Sequence, residues 1–150
     1  MRVVVQRVKK ASVKVADNKV AEIGNGLLIF VGIEDADEQV DLEWLSKKVI
    51  NTRIFPSEEK PMNRSVEAIN GELLVVSQFT LHASTKKGNR PSFIRAAAPD
   101  KARKLYDQFV DQLRKDTDQE IATGAFGKMM EVSMINDGPV TIIIDSKNRE

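Results

Sequence analysis

The chain has 150 residues, 41% hydrophobic and 30% charged, with a formal net charge of +1; this length supports one domain with one sizeable core, and this balance belongs to a folded chain rather than a disordered one. Cysteine is absent and histidine occurs once, at His82, which excludes disulfides, thiolate nucleophiles and His- or Cys-rich metal centres and leaves any Ser-His-Asp triad a single imidazole to use. No apolar run approaches the roughly 20 residues of a bilayer span, and residues 1–7 lack the apolar stretch of a signal peptide, so a cytoplasmic setting is expected.

Residues 3–15 are rich in valine broken by polar residues and predict a first strand with room for a hairpin partner. Gly24-Asn25-Gly26 makes a turn, and the Leu-Leu-Ile-Phe-Val-Gly-Ile run at 27–33 predicts a strand too apolar to be wet on one face. From 37 to about 52 the spacing becomes helical. Val40, Trp44 and Lys48 alternate turns with Leu45 and Val49, Trp44 is read as core, and Asp37 and Glu38 sit favourably at the N-terminal end. A polar loop at 56–63 precedes a second buried strand over 72–81, opened by Gly71. Pro99 and Asp100 start a second helix whose core face carries Leu105, Phe109 and Leu113. The remainder, 121–145, predicts strand, strand, turn and strand, with Asn136-Asp137-Gly138-Pro139 as the turn. One α+β domain over residues 1–150 accounts for this order, with no repeat or linker.

Charge is uneven along the chain. Residues 84–104 hold seven basic residues and one acid, and residues 34–43 hold six acids. Such asymmetry suits either a local phosphate-binding surface or ordinary solvated faces. Gly24-Asn25-Gly26 is no dinucleotide fingerprint, because the third glycine and the acidic partner are missing. His82 could serve as a general base but has no carboxylate near it in sequence. Ser77-Gln78-Phe79-Thr80-Leu81 ends an apolar strand on polar side chains; alternation puts Ser77 and Phe79 on one face, Gln78 and Thr80 on the other. That pattern fits a cleft edge or plain strand chemistry equally. In the loop that follows, Lys86, Lys87 and Arg90 supply charge, and Phe93 is either a stacking platform or a core anchor, a combination suited to single-stranded RNA ends.

Taken together, Ser77-Gln78-Phe79-Thr80-Leu81, the Lys87-Gly88-Asn89-Arg90-Pro91-Ser92-Phe93 loop and Asn136-Asp137-Gly138-Pro139-Val140-Thr141 resemble the signatures of the D-aminoacyl-tRNA deacylases. So do Arg2-Val3-Val4-Val5-Gln6-Arg7-Val8, Gly71-Glu72-Leu73-Leu74-Val75-Val76 and Gly124-Ala125-Phe126-Gly127 with Met130, so the resemblance spans the chain. It implies a mostly antiparallel, barrel-like β-sheet core with two main helices, assembled as a homodimer without cofactor, metal or membrane. The implied reaction hydrolyses the ester of D-aminoacyl-tRNA, and of achiral Gly-tRNA, to free amino acid and tRNA.

The same resemblance assigns roles. A cis Gly138–Pro139 peptide reaches into the partner's site, where two backbone carbonyls accept the substrate's α-ammonium and collide with an L side chain. Phe79 holds the developing oxyanion through its backbone N–H, and Thr80 is a nucleophile or a positioning hydroxyl. No base near Thr80 is evident in this sequence, so water attack assisted by the ribose 2′-OH is the expectation. Ser77 and Gln78 shape the pocket, Phe126 and Met130 flank the adenine or simply pack in the core, and Arg7 braces the Gly-Pro corner. Lys86, Lys87 and Arg90 bind tRNA. His82 stands where the family pattern leads us to expect an aromatic such as tyrosine, which argues against its acting as the base. Two rival readings predict different behaviour: a non-catalytic nucleic-acid-binding module, with salt-sensitive binding through 84–104, and a purely structural dimer.

Overall fold

Valine at alternate positions builds β1 (Arg2–Val15), whose Val3 and Val5, then Ala11 and Val13, are buried. The computed structural model describes residues 1–149. β2 (Asn18–Ile23) returns antiparallel along the second half of β1, and β3 (Gly26–Gly32) runs antiparallel along the first half. The first helix is α1 (Gln39–Asn51), which starts two residues later than its spacing suggests. Asp37 is engaged elsewhere: its carboxylate takes the Met1 α-ammonium and the Glu34 N–H, the latter at 2.8 Å. Glu38 becomes the N-cap, in a reciprocal capping box with Asp41.

β4 (Glu72–Ser77) lies parallel to β3. Next comes α2 (Pro99–Asp116), with proline in its first turn and Leu105, Phe109 and Leu113 buried as expected. β5 (Ile121–Thr123) lies parallel to β4, and β6 (Glu131–Asp145) runs antiparallel along β1. The order is β2-β1-β3-β4-β5 with β6 on β1. The barrel-like sheet is mixed: the three pairings around β1 are antiparallel, as expected of most of the sheet, but α1 and α2 carry the chain back across it and make the two joins from β3 to β5 parallel.

Both faces of β3 and β4 are covered. Leu27, Ile29, Leu73 and Val75 pack with the two helices, while Leu28, Leu74 and Val76 pack on the opposite face with Val8, Ala11, Val13 and Ile23. Two-sided burial explains why these strands read as unbroken apolar runs. Trp44 packs against the core, as expected, but from its edge. The buried stripe of α1 is Leu42, Leu45, Val49 and Ile50, which leaves Trp44 half-buried beside the cations of Lys48 and Arg149, at 5.5 and 4.5 Å.

The expected turn near the C-terminus is not a chain reversal. The stretches on either side of it belong to one strand, β6, and both pair with β1, from Lys14–Glu131 at one end to Arg2–Asp145 at the other. Between the pairs Val8–Asn136 and Gln6–Thr141, β1 advances by Arg7 alone while β6 advances through Asp137, Gly138, Pro139 and Val140. The surplus length is thrown outward as a bulge, with Gly138 and Pro139 exposed and joined by a cis peptide.

Candidate active site

β4 stops at Ser77, and the chain enters a 3-10 turn, Phe79–His82. Residues 77–80 therefore do not alternate between two faces as the strand pattern implied. The start of a helical turn leaves its first N–H groups without partners. Here no side chain caps the turn, and the Phe79 and Thr80 N–H groups find no acceptor outside it among the described residues.

The turn is held from beneath. The Gln78 N–H donates to the Val31 carbonyl at 2.8 Å, and Arg2 Nη1 donates to the Leu81 carbonyl at 3.0 Å. Gly32, at the end of β3, is its seat: a Cβ there would stand 2.9 Å from Leu81 Cβ and 3.1 Å from both the Gln78 carbonyl oxygen and His82 Cδ2. His82 is buried against this seat with neither ring nitrogen hydrogen-bonded. Among the described residues no carboxylate bonds to it, and it packs as a wedge behind the turn.

Ser77, Gln78 and Phe79 line one wall of a cleft of about 490 Å³, with Val31 and Ile33 behind them. The opposite rim carries Phe93, the small residues 96–99 and Ala102, and Phe126 with Gly127 closes the side. The rim is tied to β3 and its extension by the Ala97 N–H on the Ile33 carbonyl (3.0 Å) and by Arg95 on Glu34 (2.9 Å). Phe79 is 56% exposed and meets the Phe93 ring edge-on at 5.0 Å. A space of this size with one apolar wall and a few polar groups suits a small-molecule end rather than a duplex. Thr80 lies off this wall, half-buried. Its hydroxyl accepts a hydrogen bond from the Gln78 amide, and among the described residues no acid or imidazole bonds to it.

Phe126 is brought to the cleft; Met130 is not. The Phe126 ring lies 5.5 Å from Tyr106 and 5.4 Å from the Arg103 guanidinium. Tyr106 donates to the Val75 carbonyl at 2.9 Å, and burial pushes its phenol far above the ordinary range, so it remains a fixed donor. Met130 packs behind, with its sulfur 2.8 Å from where a Cβ on Gly124 would stand. Lys86, Lys87 and Arg90 are exposed on the loop whose ends are closed by two Ser84–Ser92 backbone bonds of 2.9 Å, next to Phe93 in the chain.

Arg7 is 8% exposed and grips the root of the β6 bulge. Its Nε donates to the Asp137 carbonyl at 3.1 Å and pairs with the Asp137 carboxylate at 2.8 Å, while Nη1 donates to the Ile54 carbonyl. Gly138 and Pro139 stand outside the cleft of their own chain. Among the described residues no group of three or more acidic or histidine side chains could hold a metal ion. Sequence reasoning passed over Gly32, Arg2 and the 96–99 rim. A lone glycine closing an apolar strand and three alanines before a helix were the available signals for two of these.

The family model described as D-Tyr-tRNA(Tyr) deacylase matches residues 4–145. The D-aminoacyl-tRNA deacylase of Flavobacterium johnsoniae is 58% identical over 150 residues, spanning 100% of both chains. That of Cytophaga hutchinsonii is 59% identical over the same 150 residues, again 100% of both. A solved structure described as c-Myc DNA Unwinding Element Binding Protein superposes with a TM-score of 0.92 at 41% identity, covering 97% of this chain and 98% of that one. A probable eukaryotic D-amino acid tRNA deacylase superposes with a TM-score of 0.80 at 22% identity, over 95% and 97% of the two chains, a likeness of fold.

Proposed function

The chain belongs to the D-Tyr-tRNA(Tyr) deacylase family, hydrolases of aminoacyl-tRNA esters, and from that premise we propose that it works as a homodimer on the bond between a D-amino acid, or glycine, and the 3′-terminal adenosine of tRNA. The observation that carries this reading is the uncapped start of the 3-10 turn at the cleft edge. As water adds to the ester carbonyl, the Phe79 N–H holds the developing oxyanion. The C–O bond to the ribose then breaks, and the proton given up by water passes, with help from the neighbouring 2′-OH, to the departing 3′-oxygen. An aminoacyl ester is already activated, so positioning and oxyanion stabilisation suffice. Thr80 positions rather than attacks: its oxygen already accepts from Gln78, and among the described residues no base bonds to it. Ser77 and Gln78 shape the pocket, and Phe126 supports the adenine with Met130 behind it.

Chirality is read by the partner subunit. Gly138 and Pro139 offer exposed backbone carbonyls to the neighbouring cleft, where they bind the α-ammonium and obstruct an L side chain, while a D side chain points away. Glycine has nothing to obstruct. Arg7 holds the root of this element through Asp137. The exposed Met134, Ile135 and Ile143 along β6 favour a second copy on this side. Lys86, Lys87 and Arg90 meet tRNA phosphates. No helix among the described residues is long and apolar enough to cross a membrane, and we assign the enzyme to the cytoplasm with its tRNA.

Purified protein incubated with matched D-, L- and glycyl-tRNA tests the reading. Cleavage of the D and glycyl esters with the L ester spared is expected; equal rates on D and L, or none on either, would sink it. A second reading, nucleic-acid binding without turnover, draws on the 41% identical structure described as a DNA-element-binding protein. Salt-sensitive binding with every ester left intact would favour it.

A further inference from the structure

A second groove, of about 460 Å³, lies beyond Phe126 from the cleft, between α2 and the turn that follows β5. Phe126 lines both spaces, so the two adjoin at its ring. Arg103, Arg114 and Lys128 line the groove against two acids, Asp107 and Asp111. Each arginine meets an aspartate of its own helix through one exposed contact of 3.2 Å, the kind of pairing that water and salt weaken most. Lys128 has no acidic partner among the described residues. At the corner between the two spaces stands Gly127, with φ +73° and no atom within 4 Å of where a Cβ would be. The corner is open, and the lining carries three cations against two acids, an excess of one positive charge.

We propose that this groove holds the phosphodiester backbone of the nucleotides that precede the terminal adenosine, an inference that rests on the cleft being the site of that adenosine's ester. With its base against Phe126, the adenosine's 5′-phosphate leaves the cleft past that ring, and the groove begins there. Its cations are spaced along α2 and the turn rather than gathered at one point, which suits a chain of phosphates better than a single anion. Beyond Tyr106 and Phe126, already in contact with each other, the groove offers no aromatic platform. It therefore reads the backbone and not the bases, as befits a 3′ end common to all tRNAs.

The test compares two substrates on one enzyme: full-length D-aminoacyl-tRNA, and the same D-amino acid esterified to a lone adenosine. The variant is Arg114→Glu with Lys128→Glu, both at exposed positions, and a thermal melt confirms that it folds. We expect KM for the tRNA substrate to rise about tenfold or more, with its salt dependence flattened by about 0.7 in log–log slope for each phosphate no longer neutralised. kcat/KM on the adenosine ester stays within about twofold of wild type, because that substrate has no preceding phosphates. An equal loss on both substrates would overturn the inference, since the groove would then act on the cleft itself. So would an unchanged tRNA KM in this variant alongside a raised one in Lys86→Glu with Lys87→Glu, which would send the RNA out over the other rim. Wild-type protein that cleaves neither ester removes the reading of the cleft, and this inference with it.

Discussion

The 3-10 turn at Phe79–His82 and the bulge of β6 at residues 137–140 are both departures from regular structure, yet they are built in opposite ways. The turn is anchored within its own chain: Gln78 on Val31, Arg2 on Leu81, and the bare Gly32 beneath. The bulge is anchored only at its root by Arg7, and its tip, Gly138-Pro139, stands in solvent. A backbone that offers N–H groups to a charge appearing during the reaction gains from being immobile before substrate arrives. A backbone that serves a neighbouring site has to be fixed at its base and free at its tip. On the mechanism proposed above, the contrast divides the chemistry between rate, assigned to the turn, and chirality, assigned to the bulge.

Gly32→Ala breaks the first half of that division most severely. The added methyl would stand 2.9 Å from Leu81 Cβ and 3.1 Å from the Gln78 carbonyl, so the turn must lift. A displacement of this kind is expected to lower kcat by about 100-fold while KM changes little. Single-turnover rates with a thermal melt check it; a folded variant with wild-type kcat would mean that the seat of the turn does not set the rate.

Arg7→Ala attacks the other half. It leaves the buried Ile54 carbonyl and the Asp137 carboxylate without their donor, a loss of about 2 kcal/mol in stability measured by denaturant unfolding. Discrimination against L-aminoacyl-tRNA is expected to fall about tenfold, with the D rate within about threefold of wild type. Arg7→Lys should restore only part of it, because a point charge cannot bond both carbonyls and the carboxylate in one plane. A variant that loses the D rate instead would assign Arg7 to the turn's task.

These two regions were unequally legible in the sequence. The helix stripe Leu105, Phe109, Leu113 and the apolar runs at 27–33 and 72–81 were legible, because burial on one or two faces leaves its mark on spacing, although the second strand ends at Ser77, four residues before the expected end. The motif at 77–81 was visible as a polar end to an apolar strand, but its 3-10 geometry was not. Phe and Thr are good strand formers, and what stops the strand is the packing of Leu81 and His82 against Gly32, a contact between residues about 50 apart. Gly138-Pro139 was visible as a backbone corner and read as a turn between two strands. A hairpin and a long bulge share turn-forming residues, and only the pairing of both flanks with β1 separates them. The parallel joins between β3, β4 and β5 were missed for the same reason, since strand direction depends on the crossover helices and not on the strands' own residues.

Thr80→Val sharpens the claim that the turn works through its backbone. The substitution removes a hydroxyl that accepts from Gln78 and leaves every N–H of the turn in place. Steady-state kcat should fall about fivefold, with Thr80→Ser close to wild type. Loss of a covalent nucleophile would cost about 10⁴-fold or more, so a fall of that size would restore Thr80 as the attacking group.

The smallest effect concerns the strut behind the turn. Arg2 bonds the Leu81 carbonyl with one nitrogen and Asp145 with others, at 2.9 Å, so Asp145 steadies the turn at one remove. Burial works to raise the Asp145 carboxyl, but the Lys147 N–H, the Arg2 guanidinium and the Asn148 N–H outweigh it and hold the group below its ordinary value of 3.8. A carboxyl depressed on folding contributes stability that is present in full well above its unfolded value and is lost as the pH falls through the folded one. The contribution of Asp145 is therefore complete at neutral pH and disappears below 3.8. Asp145→Asn should lower stability at pH 7 by about 1 kcal/mol, reduce kcat about twofold, and flatten the acid limb of the unfolding curve, so that variant and wild type converge at low pH. Asp41, depressed likewise by Lys147 and the Glu38 N–H against its own burial, keeps part of that limb in the variant. If the acid limb and kcat are both unchanged, Arg2 holds the turn without Asp145, and the anchoring within the subunit rests on Gly32 and Val31 alone.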